Sequence, residues 1–184
     1  TLLNIPAPAV RIKNYPHELS GGMRQRVVSA IALSSGPQVV LADEPTTALD
    51  VTVQAAYLSR LKEIQSQTDL SILFITHDFS VVARMCDRVA VMYGGRIVET
   101  GPVRLILEEP AHPYTRALVD AIPDPRSTAE RLSAIEGVPP SIYDLPKGCA
   151  FAPRCQFVEA RCHDEVPPTV KKGTAHSVAC WKHV

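Results

Sequence analysis

Apolar positions recur along this chain with two different periods, and their alternation sets the first expectation of the fold. Residues 1–16 show no clear period and read as an irregular lead-in. Gly21–Leu33 has the make-up of a helix, with Ser20 placed to cap it and Gly36-Pro37 to stop it. Gln38–Ala42 is a short continuous apolar run, the mark of a strand buried on both faces. Val53, Ala56, Tyr57, Leu61 and Ile64 then repeat at helical spacing across Val51–Gln67, behind Asp50 as a second N-cap. Ser71–Thr76 predicts another buried strand and Asp78–Met85 a short helix. Arg88–Tyr93 and Arg96–Thr100 flank Gly94-Gly95, a strong hairpin signal. Strands alternating with helices predict an α/β core built on a parallel sheet.

Past Gly101 the pattern changes. Eleven of the sixteen prolines lie from Pro102 onward, together with Cys149, Cys155, Cys162 and Cys180. This shift places the domain boundary there, dividing residues 1–100 from an extension over residues 101–184. Val103–Leu107 and Tyr114–Ala121 predict short helices separated by Pro110 and Pro113. From Pro139 to Val184 periodicity fades, so this stretch is expected to be irregular and to rely on something other than a hydrophobic core.

Charge narrows the partners. Nineteen basic residues balance nineteen acidic ones, so no global field draws the chain to nucleic acid or anionic lipid. The longest apolar blocks, near Val39–Ala42 and Ile72–Ile75, fall far short of the roughly 20 residues of a membrane-spanning helix. Membrane association is therefore expected through a partner.

The candidate chemistry begins at Asp43 and Glu44, at the C-terminal end of the first predicted strand, the edge where open α/β sheets bind ligands. Adjacent carboxylates there can divide two tasks: one positions Mg²⁺, a hard cation that takes oxygen ligands, and the other orients an attacking water. Alone, an Asp-Glu pair more often merely ends a strand. Upstream, Ser20-Gly21-Gly22 opens a helix whose N–H groups and dipole favour an anion.

The series Leu19-Ser20-Gly21-Gly22-Met23-Arg24-Gln25-Arg26, Val39-Val40-Leu41-Ala42-Asp43-Glu44-Pro45, Thr47-Ala48-Leu49-Asp50 and His77 resembles, in order and spacing, the signature motif, Walker B strand, D-loop and switch histidine of ATP-binding cassette (ABC) ATPases. The resemblance implies ATP and Mg²⁺ as ligands. It assigns Asp43 to Mg²⁺, Glu44 and His77 to catalysis at the γ-phosphate, and Ser20, Gly21, Gly22, Gln25 and Asp50 to nucleotide binding. Ser20, Gly21 and Gly22 would act in trans, on ATP held by a second ABC ATPase subunit. No G-x-x-x-x-G-K-[ST] phosphate-binding loop is present. The chain is accordingly expected to be the C-terminal part of a longer ATPase, its fold the matching portion of an ABC-type P-loop domain plus a small Cys-rich extension.

Ala111-His112-Pro113-Tyr114-Thr115 resembles an element of oligopeptide, dipeptide and nickel importer ATPases. So do Glu136-Gly137-Val138-Pro139-Pro140, Leu145-Pro146-Lys147-Gly148-Cys149 and Phe151-Ala152-Pro153-Arg154-Cys155. His112 by itself reads as structural, bonding backbone at a Pro-initiated helix, and Tyr114 as a packing residue. Four cysteines in a proline-rich stretch suggest a metal or cluster in place of a core. The spacing lacks the C-x₂₋₄-C pairs usual for zinc, and iron–sulfur clusters accept varied spacings. Zinc and uncoordinated thiols stay open on the residues alone; the resemblance implies a [4Fe–4S] cluster on Cys149, Cys155, Cys162 and Cys180. His163 and His176 read as solvent-facing, and Cys86 as a small buried residue.

The expected function is the ATP-hydrolysing subunit of an ABC importer for peptides or related solutes, peripheral to the cytoplasmic face of the cell membrane. Its partners would be a second ABC ATPase, two transmembrane permeases and an extracytoplasmic solute-binding protein, with no nucleic acid. Two alternatives are a non-transport ABC ATPase and a catalytically silent cluster- or zinc-binding regulatory module.

Overall fold

The computed structural model describes residues 3–47, 49–122 and 135–184. The chain divides into two compact units after Met85. The composition shift at Gly101 thus falls inside the second unit. Among the described residues no helix is long and apolar enough to cross a membrane.

The first unit holds α1 (Pro8–Arg11), α2 (Gly21–Leu33), β1 (Val39–Asp43), α3 (Val51–Gln67), β2 (Ser71–Ile75) and α4 (Phe79–Met85). Both predicted caps form. Ser20 Oγ accepts from the Met23 N–H at 3.4 Å, and Asp50 Oδ1 accepts from the Val53 N–H at 2.9 Å. Helix α3 turns Tyr57, Leu58, Leu61 and Ile64 inward, where Leu70, Val81 and Met85 are buried as well. The Tyr57 and Ser29 hydroxyls bond at 2.7 Å, joining α3 to α2. Strands β1 and β2 pair in parallel from Val39↔Ser71 to Asp43↔Ile75, so the fold is mixed α/β with a parallel sheet.

That sheet corrects one expectation. Its strands are not buried on both faces, because Val39, Leu41, Leu73 and Ile75 alternate outward, with Leu41 71% exposed. A parallel sheet needs helices over each face, and among the described residues only the side toward α2 and α3 has them. There, Val40, Ile72 and Tyr57 line a cavity of about 250 Å³.

The second unit is built on a four-stranded antiparallel sheet. It comprises β3 (Arg88–Tyr93), β4 (Arg96–Pro102), β5 (Thr169–Lys172) and β6 (His176–Ala179) in the order β3-β4-β6-β5, with helices α5 (Val103–Glu108), α6 (Pro113–Asp120) and α7 (Arg161–Asp164). Gly94 and Gly95, at φ +55° and +74°, supply the two left-handed residues of the hairpin turn. The C-terminal stretch is therefore not irregular throughout, and it does not lack a core. Phe151 is buried with Val91, Tyr93, Val98 and Ile106, and Tyr114 packs against that cluster. Tyr93, Tyr114 and Phe151 meet ring to ring at 4.5–5.4 Å, a spacing favourable for edge and offset contacts. Strands β5 and β6 escape periodicity analysis because each is four residues long and lies among prolines and charges.

One carboxylate ties this unit together. Glu99 on β4 is 1% exposed and accepts hydrogen bonds from the Ala111 N–H at 2.8 Å and the His112 N–H at 2.9 Å. Its Oε1 also meets His176 Nε2 on β6 at 2.7 Å. The expectation that His176 faces solvent is corrected here: the ring is 5% exposed because it is the side-chain partner that a buried carboxylate requires. Burial pushes the Glu99 carboxyl up, but Thr115 beside it, the two backbone N–H groups and His176 outweigh that and hold it below its ordinary value. Thr115 acts by proximity, since its hydroxyl forms no hydrogen bond of good geometry.

Glu99→Ala strands two backbone donors and a buried imidazole, so it is expected to cost about 3–5 kcal/mol. Urea unfolding of parent and variant checks this, and equal midpoints would remove Glu99 from its organising place.

Candidate functional site

The edge where β1 and β2 end collects the first group of candidate residues. Asp43 is the last residue of β1, and the next residue leaves the strand sharply. Glu44 has φ +45°, a left-handed conformation uncommon for a residue with a Cβ and a frequent mark of functional sites. Its N–H is held by the Ile75 carbonyl at 2.9 Å, so the parallel pairing of β1 with β2 fixes this turn. The Glu44 carboxylate then receives the Thr47 hydroxyl on Oε2, and His77 Nδ1 lies 2.7 Å from Oε1. His77 lies two residues past the end of β2, and the Asp78 after it is bonded by Gln54 of α3 at 3.2 Å. Asp43, Glu44 and His77 thus share one strand edge, with the glutamate and histidine in contact.

The electrostatics follow from that contact. The hydrogen bonds from Thr47 and His77 hold the Glu44 carboxyl below its ordinary value. In return the hydrogen bond and charge of Glu44 raise the His77 imidazole above its ordinary value. His77 remains 77% exposed, open to a ligand. Such an arrangement can present an ionised carboxylate to a water while an imidazolium faces incoming negative charge.

The signature residues stand elsewhere. Ser20, Gly21 and Gly22 open the thirteen-residue helix α2, and Gln25 one turn on lines the cavity beside β1 together with Asp43. Among the described residues, no hydrogen bond joins Ser20, Gly21 or Gly22 to Glu44 or His77. Of the D-loop residues, Thr47 supports Glu44 and Asp50 caps α3, while Ala48 lies outside the described residues. Gly22 has a duty that the sequence did not reveal. A Cβ there would meet Val53 Cγ1 at 2.7 Å, so the absent side chain lets α2 and α3 approach.

The second group is cysteine. Cys149, Cys155, Cys162 and Cys180, each half-buried, line one small cavity with His112, Phe151, Trp181 and Lys182. Its walls are drawn together by the backbone: the Cys149 N–H donates to the Cys162 carbonyl at 2.8 Å. Gly148 can have no Cβ, which would fall 2.3 Å from that same oxygen. Backbone N–H groups are turned to the sulfurs, from Phe157 to Cys155 Sγ at 3.4 Å and from Glu159 to Cys162 Sγ at 3.5 Å. Burial raises the thiols of Cys149, Cys155 and Cys180, while N–H groups of Phe151, Phe157 and Lys182 respectively pull the other way. Among the described residues no three His, Cys, Asp or Glu side chains are disposed to hold a single metal ion. His163 is exposed, as expected, and Cys86 is half-buried.

Sequence reasoning missed Glu99 and Lys182, and it named Thr47 only as part of the D-loop, without its bond to Glu44. Glu99 carried the clearest signal, as a lone charge in the apolar strand Ile97-Val98-Glu99. His112 behaves as expected in one respect, since its Nδ1 accepts from the Tyr114 N–H at 3.0 Å and caps α6.

Residues 98–162 match the family "Oligopeptide/dipeptide transporter, C-terminal region", and residues 2–47 match "ABC transporter". The dipeptide transport ATP-binding protein DppD of Bacillus subtilis is 47% identical over 98% of this chain and 54% of its own length. The oligopeptide transport ATP-binding protein OppD of the same organism is 50% identical over 98% of this chain and 51% of its own. The chain therefore spans about half the length of the curated relatives it matches. Among solved structures, a dimeric ATP-binding cassette in a post-hydrolysis state with ADP and phosphate covers 50% of this chain, and the match covers 39% of that structure. The identity there is 34% and the TM-score 0.46.

Two outcomes are expected here. By NMR titration, His77 should hold its proton above the ordinary midpoint of about 6.5, and Glu44→Gln should bring the midpoint back down. Because the His77 value is raised and the Glu44 value lowered, any stability from this pair is present between the two midpoints; it fades as the pH rises through the folded His77 midpoint and again as the pH falls through that of Glu44. Gly22→Ala should destabilise by about 1 kcal/mol, overpacking of roughly 1–3 kcal/mol exceeding a helix-propensity gain of at most about 1 kcal/mol. Adding Val53→Ala should recover most of that loss in thermal unfolding. A lone Gly22→Ala that melts higher than the parent would contradict the close-packing account.

Proposed function

Because this chain belongs to the oligopeptide/dipeptide branch of the ABC ATP-binding proteins, we propose that it is the water-activating and partner-facing part of an ATPase subunit that energises peptide import. The observation that carries this reading is the contact of Glu44 with His77 and Thr47 at the end of β1, beside Asp43. Glu44, kept ionised by its two partners, orients and polarises the water that attacks the γ-phosphate of ATP in line. His77 faces the charge that builds on the phosphoryl oxygens. Asp43 offers the oxygen ligand for Mg²⁺, which neutralises phosphate charge when bound. The products are ADP and phosphate.

Ser20, Gly21 and Gly22 serve the opposite site. A serine hydroxyl and free N–H groups at the N-terminus of a long helix suit a γ-phosphate presented by a second ATPase subunit. Their lack of bonding to Glu44 and His77 of the same chain supports that assignment. Gln25 and Asp50 complete the nucleotide-binding set. Two permeases and an external solute-binding protein would form the rest of the importer, with this subunit peripheral at the cytoplasmic face of the membrane. The open apolar face of β1 and β2 further favours a cassette whose sheet is completed by more strands and a second helical layer.

The cysteine cavity fits a thiolate-held group. Four cysteines line it, and backbone N–H donors are aimed at the sulfurs of Cys155 and Cys162. Lys182, its Nζ 4.0 Å from the Phe157 ring centre, adds positive charge at the wall. One zinc ion would draw thiolates to about 2.3 Å from it, a convergence these residues do not have. A [4Fe–4S] cluster holds its cysteines further apart, and Cys149, Cys155, Cys162 and Cys180 would be its ligands. When bound, such a cluster cross-links the chain and can take up one electron.

The test uses the subunit joined to its phosphate-binding loop and reconstituted with its permeases. Glu44→Gln should lower ATP hydrolysis by about 10²–10⁴-fold while ATP binding persists. Ser20→Arg on one subunit of a mixed dimer should silence the site of its partner. Hydrolysis surviving Glu44→Gln at parental rate would overturn the assignment. The chain by itself should hydrolyse ATP negligibly, which a phosphate-release assay checks.

A further inference from the structure

His112 is the polar side chain that this fold buries against the cysteine cavity, and capping α6 uses only half of it. The residue is 1% exposed and its ring lines the cavity with the four cysteines. Two constraints fix how it stands. The Tyr114 N–H donates to Nδ1 at 3.0 Å, so Nδ1 carries the lone pair and, in the neutral ring, Nε2 carries the hydrogen. The His112 backbone N–H is meanwhile anchored on Glu99, and Phe151 packs against the ring at 5.9 Å between centres. Nε2–H finds no hydrogen-bond acceptor among the described residues. Sulfur in the cavity would supply one.

We infer that His112 is a positioning residue of the cysteine site, its Nε2–H donating to a sulfur of the group that the four thiolates hold. The inference rests on the reading that those cysteines carry an iron–sulfur cluster. Desolvation by burial lowers the pKa of His112 to about 4, against a smaller opposing effect of Glu99. An N–H donor offsets negative charge on sulfur, and hydrogen bonds to the sulfurs are among the factors that set cluster potentials. His112 therefore favours the reduced state, the one with more negative charge. Glu99, through the His112 N–H and the pairing with His176, holds the ring in place from its backbone side.

The experiment is anaerobic redox titration of the reconstituted chain, followed by iron and sulfide content, visible absorption and electron paramagnetic resonance. His112→Asn keeps a side-chain cap for α6 but removes the ring donor, and the midpoint potential should move to a more negative value. Ser66→Ala, in the first unit and far in sequence from the cysteines, should leave the midpoint at that of the parent. A parent chain that takes up no iron and sulfide overturns the cluster reading and the inference with it. A loaded parent whose midpoint is unchanged by His112→Asn overturns the inference alone. Should the variant fail to load, ¹⁵N-histidine labelling of the parent decides: a weak hyperfine coupling from one histidine nitrogen to the reduced cluster is expected, and its absence rejects the hydrogen bond.

Discussion

The buried carboxylate of Glu99 is the constraint on which the second unit depends. It sits in the middle of β4, where an apolar residue would be ordinary, and it can remain ionised only if donors come to it. Three do so: the N–H groups of Ala111 and His112 and the ring of His176. Meeting that requirement brings the segment before α6 and the strand β6 to the same point on β4. Since Cys180 directly follows β6 and His112 lines the cysteine cavity, the electrostatics of one residue set two walls of that cavity. His112 and Tyr114 of the His-Pro-Tyr-Thr element thereby acquire physical roles, one as cap and wall, the other as a ring in the aromatic cluster.

The first unit solves a different problem, the placement of an acid beside a base at a strand edge. Parallel pairing of β1 and β2 brings Glu44 and His77 together although they are far apart in sequence. The left-handed turn at Glu44 then lifts its carboxylate to meet the imidazole. The strain of that turn is offset by the backbone bond to Ile75 and by the side-chain bonds of Thr47 and His77. Charge on each partner favours charge on the other, so the pair is held in its ionised state, the state that the proposed water activation would use. Close packing supports this locally, as at Gly22, where the absence of a side chain admits Val53.

Local order was legible in the residues themselves. The bounds of α2 and α3, their Ser20 and Asp50 caps, and the Gly94-Gly95 hairpin depend on propensity, capping and turn chemistry, all properties of short segments. The motif series likewise singles out Asp43, Glu44 and His77, three residues that the structure brings to one strand edge, because their order along the chain is itself informative. His112 as a helix cap belongs to the same class.

What tertiary structure alone decided involves partners distant in sequence. From sequence His176 reads as a surface residue, since nothing near it reveals that Glu99, 77 positions earlier, needs it. Strands β5 and β6 are too short for a period and exist because β4 offers an edge to pair with. The outward faces of β1 and β2 were expected to be covered, as an apolar run cannot say how many layers surround it. The sharing of one cavity by Cys149, Cys155, Cys162 and Cys180 is of this kind too: spacing names the thiols, but the close backbone approach of Gly148 to Cys162 is a tertiary contact. Sequence determines what each segment prefers by itself, whereas buried charge, sheet edges and shared cavities are satisfied only by residues that folding brings together.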